Sequence, residues 1–144
     1  MPKQLANRLV TKYKTNNPFY IANHKGIHVI FEQLGSIYGY YNYYKRIKII
    51  HINEQLDESL QRFTCAHELG HALLHHDINT TFLKSKTFFT TDKIEREANT
   101  FAVELLMPDE YLYEFKDTGL TIYDAAEMYG VPKEVCKLKV FYNK

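Results

Sequence analysis

The sequence predicts an α+β fold, and three observations carry that expectation. Residues 27–52 are rich in β-branched and aromatic residues and partly alternate, as strands do. The segments on both sides repeat apolar residues every three to four positions, as helices do. Glycine, proline or a capping side chain marks most of the junctions.

Leu5, Leu9 and Tyr13, with Ala6 and Val10 beside them, give a first helix that stops near Asn16. Asn17 followed by Pro18 reads as a cap and a first-turn proline, and Gly26 as the residue that ends a short second helix. Ile27, Val29 and Phe31 alternate; Ile37 to Tyr44 and Arg46 to Ile52 come next, with Gly35 and Ser36 marking one turn. These runs predict a small antiparallel sheet. From Asp57 the period returns to helical, with Phe63, Ala66, Leu73 and Leu74 on one side, as far as about His76. Asp77 to Thr91 reads as polar and irregular. A helix from about Asp92 to Met107 is closed by Pro108, which can open another at Asp109 to Phe115. Thr121 with Asp124 forms a capping-box pattern, Gly130 ends that helix, and Pro132 is expected to begin a last one.

The chain of 144 residues is long enough to bury a core without disulfides or a structural metal, so a metal site in it is expected to be functional. With no repeat, low-complexity stretch or linker, residues 1–144 read as one domain. A net charge of +1 offers no basic excess for nucleic acid or an anionic membrane, so neither partner is expected. No apolar run resembles a signal peptide or a membrane span, which predicts a cytoplasmic protein. Cys65 and Cys136 are too few for a secreted disulfide framework and are expected to be buried free thiols.

Residues 67–71 read HELGH. On a helix, His67 and His71 at i and i+4 lie on one face and can reach one cation, while Glu68 sits one position round, near the metal without ligating it. With 7 histidines in the chain, roughly 0.025 matches to this pattern would arise by chance. A catalytic zinc takes three protein ligands and keeps a position for water, so a third ligand is needed. Asp77, His75 and His76 lie close in sequence. Asp77 lacks the glycine that usually makes the required turn, since Leu74 stands there, and His75 lies a full turn beyond His71.

A further candidate lies in IEREANTFAVELLMP, residues 94–108. At about 100° per residue, Ile94, Ala98, Phe101, Ala102 and Leu105 form an apolar face. Glu95 falls at its edge and Glu97 further round toward solvent. A carboxylate directed into a packed interface must be paired or bind a metal, which favours Glu95 as third ligand. The competing role for Glu95 is a capping box with Asp92. Gly70 would let the two helices approach closely.

Three segments, NPFYIANHKGIHVI, RFTCAHELGHALLH and EREANTFAVELLMP, together resemble the ImmA/IrrE family of metallopeptidases over roughly residues 17–110. The resemblance implies a zincin-like core, a bound Zn2+, His67, His71 and Glu95 as its ligands, and Glu68 as the catalytic residue. Related zinc peptidases carry Asp four residues after the ligand glutamate, supporting a ligand histidine. Here Asn99 stands at that place, an uncharged candidate for the supporting role. Zinc so held would activate water and polarise a peptide carbonyl, with Glu68 taking the proton and passing it to the leaving amine. Family members of this kind typically cut helix-turn-helix repressors of phages or mobile elements, which makes such a repressor the expected protein substrate.

Two alternatives belong to another class. Residues 121–138 could form two short helices about Gly130, as a DNA-binding helix-turn-helix does, although Asp124 and Glu127 would set acid near phosphates and Lys133, Lys137 and Lys139 give only a modest basic patch. The other is a zinc-stabilised anti-repressor that binds without cutting.

Overall fold

The computed structural model describes residues 1–83, 87–88 and 92–140. Its elements are α1 (Pro2–Tyr13), α2 (Pro18–His24), β1 (His28–Glu32), β2 (Ile37–Tyr44), β3 (Ile47–Asn53), α3 (Glu58–Leu74), β4 (Thr80–Leu83), α4 (Lys93–Leu106), α5 (Asp109–Leu112) and α6 (Ile122–Tyr129). Short 3-10 turns lie at Tyr113–Phe115 and Cys136–Leu138. The fold is α+β, as the sequence predicts.

The helix boundaries match their capping side chains. The Asn17 side chain accepts from the backbone N–H groups of Phe19 and Tyr20 just before Pro18. Asp57 accepts from the Leu60 N–H at the start of α3. Thr121 and Asp124 form a reciprocal capping box on α6, and Gly130 closes that helix in the left-handed region at φ 72°.

The sheet has four strands in the order β1-β3-β2-β4. β2 pairs antiparallel with β3 and β4, but β1 runs parallel to β3, with His28 opposite Ile49. The sheet is therefore mixed, where the sequence predicts antiparallel pairing throughout. The cause lies at the end of β3. Buried Asn53 donates to the carbonyls of Gly35 and Ile37, and the Glu54 N–H donates to Glu32 O. These bonds carry the chain from β1 across the end of β3 and leave β3 between β1 and β2. A second departure is β4, which lies inside the stretch 77–91 expected to be irregular; residues 84–86 and 89–91 of that stretch lie outside the described residues.

The third departure is at the C-terminal end. Among the described residues no regular helix begins at Pro132; the chain turns and makes only the 3-10 segment Cys136–Leu138. Val131, Val135 and Cys136 are buried there, and long-range polar bonds to Glu104 hold Lys139 and Val140 beyond them. Residues 121–138 thus hold one α-helix and a 3-10 segment, where a helix-turn-helix would have two helices.

α3 is the central element. Ten consecutive residues, Phe63 to Ala72, are buried, since the sheet, α2 and α4 all pack on this helix. Tyr41, Ile50, Ile52, Phe63, Ala66 and Leu69 are fully buried in this core. Gly39 of β2 marks the closest approach. A Cβ there would lie 2.5 Å from the His51 carbonyl oxygen and 2.6 Å from Thr64 Cγ2. Gly39→Ala is expected to destabilise the fold by about 1–3 kcal/mol in urea denaturation, because strand and helix must part. A loss below about 0.5 kcal/mol would mean that they part freely.

α4 is tied to both ends of the described chain. Its buried Glu104 accepts from Lys3 Nζ at 3.2 Å, from Lys139 Nζ at 2.7 Å and from the Val140 N–H at 2.7 Å. Asp109 accepts from both lysines, and Lys3 also donates to the Val140 carbonyl. Two cations and two anions balance, so the buried charges are paired. Cys65 and Cys136 are both free and buried, as expected. Among the described residues, no helix is long and apolar enough to cross a membrane.

Candidate metal centre

Helical spacing places His67 and His71 on one face of α3, and α4 crosses that face. The crossing is close at Gly70, where a Cβ would lie 3.0 Å from Phe101 Cδ2 and 3.3 Å from the Ala98 Cα. This approach carries Glu95, in the first turn of α4, to both histidines. His67 Nε2 lies 3.0 Å and His71 Nε2 3.3 Å from Glu95 Oε1, and the two Nε2 atoms are 3.1 Å apart. The edges of a tetrahedron with zinc-ligand bonds of ~2.0–2.1 Å are about 3.3 Å long. The three atoms therefore have the spacing of one face of a zinc coordination sphere. Both imidazoles are buried, and the Glu95 side chain is 17% exposed.

The surrounding hydrogen bonds decide which atoms carry protons. Asn99 Nδ2 donates to the Thr87 carbonyl at 2.9 Å, which turns its Oδ1 toward His67 Nδ1 at 2.8 Å. His67 Nδ1 must then be the donor, leaving Nε2 as a lone pair aimed at Glu95. Burial, opposed by the Glu95 hydrogen bond and aided by the His71 charge, lowers the His67 pKa to about 4, so the ring is neutral near pH 7. A lone pair and a carboxylate in contact repel each other. A cation resolves that conflict, and His67, His71 and Glu95 form a group able to hold one. Asn99 suits its place better than an aspartate would, because it faces a donor and an acceptor at once.

His71 is arranged in the same sense. Its Nδ1 lies 3.1 Å from His75 Nδ1, and His75 Nε2 lies 2.8 Å from Glu97 Oε1. His75 thus stands behind His71, outside the metal-binding group. Asp77 is exposed in the turn after α3, and the His76 carbonyl accepts from the Tyr41 hydroxyl. The alternative third ligands are therefore not brought to the site, and Glu95 is. Glu97, expected to face solvent, is half-buried and paired with His75.

Glu68 is fully buried, and neither carboxylate oxygen has a hydrogen-bond partner among the described residues. Burial first, and then the Glu95 charge, push its pKa well above the ordinary carboxylate range. Such an orphaned group is costly unless something polar is bound beside it, as a metal and its water would be. Aromatic rings pack against His67. Phe82 of β4 packs 4.5 Å from the His67 ring and meets Phe63 and Phe88 edge-on. Sequence reasoning passed over β4, Thr87 and the His75–Glu97 pair. The β-branched and aromatic run Thr80 to Leu83 was the available signal for β4.

Residues 22–141 match the model of a peptidase family described as the IrrE N-terminal-like domain. The chain belongs to the ImmA/IrrE family. Among its relatives, uncharacterized immunity region protein 2 of Bacillus phage phi105 is 49% identical over 138 residues, covering 95% of this chain and 87% of that protein. Metallopeptidase ImmA of Bacillus subtilis strain 168 is 32% identical over 142 residues, covering 96% of this chain and 83% of that protein. ImmA/IrrE membership makes the chain a peptidase of a metal-dependent family, and the cluster of His67, His71 and Glu95 is where its residues can hold the metal.

Proposed function

We propose that residues 1–144 form one zincin-like domain, a cytoplasmic zinc-dependent endopeptidase that makes a specific cut in a helix-turn-helix repressor of a phage or mobile element and so relieves repression. The observation that carries the reading is the convergence of two imidazole nitrogens and one carboxylate beside buried Glu68, which has no hydrogen-bond partner among the described residues. Two histidines and a carboxylate suit zinc, with one position left open. The immunity-region name of the phage relative and the name of the metallopeptidase ImmA support a substrate connected with repression.

His67, His71 and Glu95 hold the metal, and Asn99 fixes the His67 ring. When bound, zinc supplies Lewis acidity that activates water and polarises the scissile carbonyl. Glu68 accepts the proton that water loses as its oxygen attacks the carbonyl carbon, and it returns that proton to the amine as the C–N bond breaks. The full burial of Glu68 favours one alternative, an anti-repressor that uses zinc for stability and acts by binding alone.

The test is to mix zinc-loaded protein, or its Glu68→Gln variant, with the repressor of its own genetic element and read the products by mass spectrometry. A single defined cut made only by the unmutated protein is expected. Intact repressor that binds both proteins would overturn the endopeptidase reading in favour of the anti-repressor.

A further inference from the structure

The HALLHH run places a third histidine one turn beyond the motif, and the site as proposed gives it no part. His75 is the C-cap residue of α3, where its N–H donates to the His71 carbonyl at 2.7 Å. Its side chain is 9% exposed and reaches back to His71 Nδ1, while its far nitrogen meets Glu97 on α4. A Nδ1–Nδ1 contact needs one donor and one acceptor. With a carboxylate at the far end, His75 carries its proton on Nε2 and donates it to Glu97. His75 Nδ1 is then an acceptor, so His71 Nδ1 carries the hydrogen and His71 Nε2 is left as a lone pair.

We infer that His75 and Glu97 are positioning residues that set the tautomer and orientation of His71 for the metal, through the directed chain His71 Nδ1–H to His75 Nδ1 and His75 Nε2–H to Glu97. This rests on the reading of His67, His71 and Glu95 as ligands. The two ligand histidines are supported in different ways: His67 by a neutral amide within the core, His71 by an imidazole backed by a half-exposed carboxylate. Support of this kind commonly governs metal affinity by ~10–100-fold.

The experiment measures zinc affinity by competition with a chromophoric chelator, together with the His71 tautomer by 15N NMR of the metal-free protein. His75→Phe keeps the bulk of the ring and removes the acceptor; it is expected to weaken zinc binding about 10- to 100-fold and to lose the Nδ1–H form of His71. His75→Asn restores an acceptor near the Nδ1 position and is expected to recover most of that loss. Glu97→Gln, at a half-exposed place that tolerates change, is expected to weaken binding a few-fold, and it serves also if His75→Phe does not fold. Affinity within twofold of wild type in both His75→Phe and Glu97→Gln would overturn the inference, as would equal losses in His75→Phe and His75→Asn. Unchanged affinity in His71→Ala would instead sink the ligand assignment itself, and the inference with it.

Discussion

Glu95→Ala is expected to weaken zinc binding by on the order of a hundred- to a thousandfold, because it removes one of three protein ligands. The effect should exceed any at Glu97, two residues away on the same helix. Glu95 contacts both Nε2 atoms, whereas Glu97 meets only the outer nitrogen of His75. Glu97→Ala should therefore keep stoichiometric zinc. Equilibrium dialysis with metal analysis separates the two variants, and zinc lost from Glu97→Ala but retained by Glu95→Ala would make Glu97 the ligand instead.

Glu68→Gln is expected to retain zinc and to lose cleavage by at least ~10²–10⁴-fold, the usual contribution of a general base. Loss of zinc from this variant would overturn the assignment of Glu68 as base. The same substitution should have an opposite effect on metal-free stability. Glu68 is buried with no hydrogen-bond partner among the described residues, and its folded-state pKa is raised above the ordinary 4.5. Above that pH the unfolded chain releases a proton that the native chain keeps, so Glu68 lowers stability progressively as pH rises. Glutamine has no such dependence. In chelator, Glu68→Gln should match wild type near pH 4.5 and exceed it by about 1–3 kcal/mol at pH 8. Urea denaturation at both pH values checks this, and a gap that fails to widen with pH would show that the Glu68 carboxylate finds a partner after all.

The features legible in the sequence were those written locally. HELGH needs only the helical period to bring two imidazoles together, and the position of Glu95 at the edge of an apolar face comes from the same period. Caps at Asn17, Asp57, Thr121 and Gly130 mark their helices by chemistry within a turn. The features that were not legible depended on distant partners. The parallel pairing of β1 with β3 is held by Asn53, eighteen residues from the Gly35 carbonyl that it binds. β4 is a four-residue run whose partner, β2, ends before α3 begins. Pro132 is a sound helix-start signal, but Lys139 and Val140 are held at Glu104 on α4. His75 was visible as a third histidine, yet its direction came from α3 ending beneath it and from Glu97 on the neighbouring helix.

Lys3 and Lys139 share one oxygen of Glu104, so the first and last turns of the described chain meet at a single carboxylate. Topologically the fold is nearly a ring. Bringing such distant segments together costs loop-closure entropy that grows only slowly with length, and the paired charges at Glu104 are among the contacts that offset it. A rearranged gene could link the neighbouring segments that carry Lys3 and Val140 and open the chain instead at the hairpin turn of Lys45 and Arg46, where both residues already take positive φ. The same core would form, with the two histidine-bearing turns of α3 and the Glu95 turn of α4 still encoded in unbroken order. The order in which the sequence is written is in this sense only one of several that this set of contacts would accept.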